Sequence, residues 1–127
     1  MSLSRVAILA AVDIHTETVP VPEWGGSVVV RGLTGTERDA FEQRCHETSY
    51  ANVRANLLAF SLVDENGKRL FSLEDVQALG AKSAAPLDRL FDVARRLSGI
   101  GQREVKELVG NSEPDRNGAT TSSSPLV

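Results

Sequence analysis

Glu17-Thr18-Val19-Pro20-Val21-Pro22-Glu23-Trp24-Gly25-Gly26-Ser27-Val28-Val29-Val30-Arg31-Gly32-Leu33-Thr34-Gly35-Thr36-Glu37 holds two strands, a turn and a helix start in one run. Glu17 to Val21 alternates, which puts Val19 and Val21 on one face. Ser27 to Arg31 is rich in β-branched residues and bounded by glycines. Pro22 to Gly26 is a run of turn formers, so the two strands fold back as an antiparallel ribbon. Pro20 has no N–H to give a ladder, which predicts that the first strand lies at an edge. A two-stranded ribbon is marginal alone and needs something to pack on. The capping box Thr34-Gly35-Thr36-Glu37 opens a helix to about Glu47, with Ala40, Phe41 and Cys45 as its expected buried stripe.

The flanking sequence supplies more helices. Ser4 to Val12 reads as a short helix capped by Ser4. Asn52 to Val63 fits both periods, since Leu58, Phe60 and Leu62 alternate while Val53, Leu57, Leu58 and Leu62 approach helical spacing. Its length and alanines favour a helix. Asp64-Glu65-Asn66-Gly67 is a turn, followed by a short extended piece from Lys68 to Phe71. Ser72 caps a helix whose first turn carries Glu74 and Asp75 and which Gly80 closes. Leu87, Leu90, Phe91, Ala94 and Leu97 mark one buried face of the clearest helix, and Gly99 ends it. A last helix, about Gln102 to Val109, buries Val105, Leu108 and Val109. After Gly110 the chain turns to Asn, Ser, Thr, Pro and Gly, too polar to offset the entropy of ordering. The expected fold is α+β, an N-terminal antiparallel β-ribbon on four to five short helices. A compact domain spans 1–110, and 111–127 forms a disordered tail.

Composition narrows the function. The 127 residues carry a formal charge of −3 and a pI near 5.4, without the basic excess of a nucleic-acid binder. No apolar run is long enough for a membrane span, and Val6 to Val12 is too short for a signal peptide. The one cysteine, Cys45, excludes an intramolecular disulfide and fits a reducing cytosol. His46 adjoins Cys45, but neighbouring helix positions do not face each other, and a zinc site needs three or four ligands. The glycines do not form a phosphate-binding loop. The acidic pairs Asp64-Glu65 and Glu74-Asp75 sit in a turn and at a helix start, where acids are expected anyway. Arg95, Arg96, Arg103 and Lys106 are interspersed with acids. No catalytic, cofactor or metal residues are expected, so the chain does not read as an enzyme. Trp24 fits two roles, a clamp of ribbon on helices or an exposed anchor.

The run Val21 to Glu42 resembles the N-terminal region of tail assembly chaperones from long-tailed actinobacterial phages and prophages. The likeness continues through Leu62 to Phe71, Leu79-Gly80-Ala81-Lys82-Ser83 and Leu87 to Gly99. The resemblance implies a non-catalytic protein that binds the tape-measure protein and keeps it soluble for tail tube assembly, with the tail tube protein as a further partner candidate. It also implies work in the host bacterial cytoplasm, absence from the mature virion, and a short form whose reading frame ends near a programmed frameshift. Self-association into rings or filaments is compatible with coating a long partner. Partner contacts are expected among apolar residues that a small core leaves uncovered: Trp24, Phe60, Leu62, Leu70, Phe71, Ile100, Val105 and Val109. The rival reading is a small antitoxin-like or regulatory adaptor that binds through its helical face or tail. Genome neighbourhood separates the two. Tail genes on both sides are the expected outcome, and an adjacent toxin gene would refute the chaperone reading.

Overall fold

The computed structural model describes residues 1–110, apart from the side chains of 109 and 110; the expected tail, 111–127, lies outside the described residues. β1 (Thr16–Val21) and β2 (Gly26–Arg31) pair antiparallel from Thr16↔Arg31 to Val21↔Gly26. A short 3-10 turn, Pro22–Trp24, joins them, and Gly25 ends it at a left-handed φ of 79°. The ribbon becomes a sheet in the order β1-β2-β3, which leaves β1 and its Pro20 at an edge as predicted.

The third strand corrects the reading of 52–63 as one helix. The helix α3 (Val53–Ser61) runs straight into β3 (Leu62–Val63), which pairs with β2 through Val30↔Leu62 and Val29↔Val63. Leu62 serves both elements. Its N–H still reaches back to the Leu58 carbonyl, and its own carbonyl accepts from Leu70 N–H at 3.0 Å. The chain then turns through Asp64, whose Oδ1 accepts from the Asn66 and Lys68 N–H groups at 2.8 and 2.9 Å. Arg69 bridges back to Val63, so the extended piece after the turn is a single bridge.

The remaining helices are α1 (Arg5–Ala10), α2 (Gly35–Glu47), α4 (Val76–Gly80), α5 (Ala84–Leu97) and α6 (Gln102–Gly110). Both halves of the α2 capping box form, Thr34 Oγ1 accepting from Glu37 N–H and Glu37 Oε1 from Thr34 N–H. On α2 only Phe41 and Cys45 are buried. Ala40 is exposed, because a neighbouring position lies about 100° round the helix from Phe41. α5 buries Leu87, Leu90, Phe91 and Ala94 as expected, together with Pro86 and Val93, whereas Leu97, expected on the same face, is only half-buried against the core near the helix end. Its end is a Schellman motif. Gly99 N–H bonds to the Arg96 carbonyl, Ile100 N–H to that of Arg95, and Gly99 takes φ 73°.

α3 is the centre. Every residue from Val53 to Ser61 except Arg54 is buried. α2, α4 and α5 pack around it, and α5 also carries β1 and β2. The fully buried Asn56 on α3 is matched on both amide atoms: its Nδ2 donates to the Ala51 carbonyl, and its Oδ1 accepts from Arg44 Nε. Just past the end of β2, Gly32 lies against the end of α5, where a Cβ would lie 2.6 Å from the Leu97 carbonyl oxygen. Leu33 N–H then bonds to Ser98 Oγ at 3.0 Å.

Gly32→Ala is therefore expected to push β2 off the end of α5 and cost about 1–3 kcal/mol. Urea denaturation measures it. Gly35→Ala is the control, since nothing lies within 4 Å of that Cβ; it is expected to be neutral or slightly stabilising, by up to about 1 kcal/mol.

Candidate partner-binding surfaces

Around the core the chain leaves recesses of differing chemistry. One is an apolar groove of about 340 Å³ lined by Trp24, Phe71, Asp75, Ala78, Leu79 and Lys82. Trp24 reaches it from the 3-10 turn at the hairpin tip. The neighbouring Glu23 anchors that turn to α5 by a two-pronged ion pair with Arg89, at 2.9 and 2.7 Å. The hydrogen bonds from Arg89, first of all, hold the Glu23 carboxyl down at about 2. Phe71 and α4 form the other wall. A second recess, about 600 Å³, opens between α2 and α6. Glu42, Glu104 and Glu107 give it an acidic lining, with Tyr50 and Leu108 among its other walls. Arg38 spans the two helices by pairing with both Glu42 and Glu104.

The expected contact residues divide sharply. Trp24 and Phe71 are half-buried and share the groove. Leu70 is exposed, and Val105 is half-buried on α6 against the core. Phe60, Leu62 and Ile100 are core residues, each at most 3% exposed. Leu62 is pulled in by β3, Ile100 by the turn after Gly99, and Phe60 lies under the Arg69 guanidinium, 4.7 Å from its ring centre. The side chain of Val109 is outside the described set. The sequence reading missed α1 as a surface. Leu3, Val6, Ile8, Leu9 and Val12 are all strongly exposed. The available signal was an apolar run too short to be a stable helix alone.

One carboxylate ties the sheet edge together. Glu37 Oε2 accepts from Arg31 and from Arg69, each at 2.6 Å. Burial works to raise the Glu37 carboxyl, but the Thr34 N–H, Arg69 and Arg31 outweigh it and hold it at about 2. The polar residues singled out for chemistry do not converge. Burial, aided by Glu42, pushes the Cys45 thiol up to about 11, so it stays protonated at neutral pH. His46 faces outward with its Nδ1 3.1 Å from Tyr50 Oη. Arg95 and Arg96 pair with Asp92 and Glu17. Among the described residues no group of three or more His, Cys, Asp or Glu could hold a metal ion, and no helix is long and apolar enough to cross a membrane.

Comparison with known proteins gives a consistent picture. The sequence model of a family described as phage tail assembly chaperone matches residues 2–110. Among solved structures, the tail assembly chaperone of bacteriophage HK97 is similar at a TM-score of 0.59 and 22% identity, covering 77% of this chain and 94% of that one. At that identity the likeness establishes a shared fold. No curated protein matches the chain.

The Glu37 hub sets an acid limit on stability. Its folded pKa lies below the ordinary value of 4.5, so its contribution is complete above that value and is lost as pH falls towards about 2. Glu37→Gln is expected to cost about 1–3 kcal/mol at pH 7. The gap to the parent protein should close between about pH 4.5 and pH 2. Thermal melts across that range check it, and a gap independent of pH would refute the assignment.

Proposed function

The chain belongs to the phage tail assembly chaperone family, and we propose on that basis that it acts without catalysis, by binding the tape-measure protein and keeping it soluble until the tail tube forms. The work would be done in the host cytoplasm of a long-tailed actinobacterial phage or prophage, with no place in the finished particle. The family match over 2–110 carries this reading.

The α2–α6 recess supports it with a surface of suitable chemistry. Tyr50 and Leu108 offer apolar contact, Val105 lies on the same helix, and Glu42, Glu104 and Glu107 surround them with negative charge. A helix with one apolar stripe and flanking Lys or Arg would meet both features, the helix-in-groove mode of recognition. Leu70 adds exposed apolar surface elsewhere on the domain.

Co-expression with the tape-measure protein of the same phage tests the proposal. The expected result is a soluble complex recovered through a tag on this chain. The double variant Glu42→Lys, Glu107→Lys changes only exposed side chains. It should lower recovery at least about tenfold and remove most of the sensitivity of binding to salt. A tape-measure protein that is equally soluble with and without this chain would sink the proposal.

A further inference from the structure

A third recess, about 550 Å³, opens where the starts of α3 and α5 meet the end of α4. Val53 and Leu87 give it apolar wall, and its charged groups are Arg54, Lys82 and Asp88. Arg54 pairs with Asp88, whereas Lys82 has no ion-pair partner among the described residues. The surplus charge is therefore positive, and the two helix starts add to it. Neither α3 nor α5 has a side-chain cap or an acid in its first turn, whereas α2 has both. Their first amides leave partial positive charge at the recess. We propose that Glu113-Pro114-Asp115-Arg116 docks in this recess of the same molecule, with Glu113 and Asp115 set against Lys82 and the two helix starts.

The path of α6 brings that segment to the recess. Arg38, in the first turn of α2, pairs with Glu104 near the start of α6. His46 and Tyr50, at the far end of α2 and just beyond it, line one recess with Leu108. α6 therefore runs beside α2 in the same direction and delivers Gly110 to the corner between α2 and α3. Tyr50 stands at that corner and borders both recesses. Glu113 and Asp115 follow Gly110 closely, within an extended reach of about 10 and 17 Å. Charge then selects the segment. Glu113 and Asp115 are the only acids of 111–127, and Arg116 is its only base. Two acids and one base mirror the recess, which holds two bases and one acid. Tethering favours this occupant over an acidic segment of another protein, because a short linker sets an effective concentration in roughly the millimolar range. The inference concerns this chain alone, so it stands or falls separately from tape-measure binding.

A nitroxide spin label on Asn117→Cys tests the contact in the full chain by NMR. Cys45 is fully buried, so the label attaches to the new cysteine. The amide signals of Val53, Arg54, Ala55 and Ala84 should broaden. Ala84→Asp places an acid of the recess's own at the start of α5, on an exposed residue, and should keep or raise the parent melting temperature. In the labelled chain it should reduce that broadening at least about threefold. The double variant Glu113→Gln, Asp115→Asn should do the same from the other side, without touching the folded domain. Salt at about 1 M should also release the segment. Absence of broadening at these amides in the parent chain would overturn the proposal. So would broadening that persists unchanged in both variants. Mixing labelled chain with unlabelled, isotope-enriched chain supplies the last check: broadening that passes between molecules would mean that the segment docks on another copy, and would overturn it too.

Discussion

The burial of α3 on nearly every side is the constraint on which the rest of the structure depends. Eight of its nine residues are buried, Arg54 alone reaching solvent, so the helix has no face of its own to offer. A helix apolar all round needs neighbours on all sides. α2, α4 and α5 supply them, and β3 grows from its C-terminal end into the sheet. Of its two buried polar side chains, Asn56 obeys the same rule, while Ser61 Oγ has no hydrogen-bond partner among the described residues. Asn56 is tolerated because Arg44 from α2 and the Ala51 carbonyl satisfy its amide. That pairing also fixes how α2 lies against α3. The middle of the molecule is thus filled with side chains, and the recesses lie at its margins, where the surrounding helices diverge.

A single carboxylate then joins the two layers. Glu37 completes the cap of α2 and accepts from Arg31 on β2 and Arg69 beyond β3. Arg31 Nη2 also lies 3.4 Å from the Phe60 carbonyl, near the end of α3, and Arg69 covers the Phe60 ring. One residue therefore takes part in helix initiation, sheet edge and core cover together. Its depressed pKa follows from being the common acceptor of three donors. Exposed ion pairs elsewhere, such as Arg96 with Glu17, lack this convergence and add little.

The parts of the fold that local chemistry decides were legible in the sequence. The Thr34–Glu37 box, the turn at Gly25, the stripe of α5 up to Ala94 and the stop at Gly99 each rest on a few neighbouring residues, and all stand where the sequence places them. The passage from α3 to β3 was not legible. Leu58, Phe60 and Leu62 satisfy both periods, and only pairing with Val30, distant in sequence, decides where the helix ends. Ala40 failed for a simpler reason. α2 is so polar that any apolar residue near Phe41 was drawn into the expected stripe. The surface was harder still. Apolar residues near turns were the candidates, yet Phe60, Leu62 and Ile100 are core. Whether such a residue is covered depends on long-range partners, a β-bridge or a guanidinium, that spacing does not reveal.

Trp24 shows how the remaining ambiguity resolves into function. Clamp and exposed anchor were alternatives in the sequence, and the structure makes them two faces of one residue. It packs partly on the core and partly lines the groove. Glu23 and Arg89 tie the turn that carries it to α5, so the wall of the groove stands without an occupant. A preformed groove loses little order on association, and its occupant bears most of that cost. The acidic recess at α6 differs in kind, since charge surrounds its apolar contacts. The two recesses therefore differ in chemistry, one almost wholly apolar and the other acidic around an apolar floor.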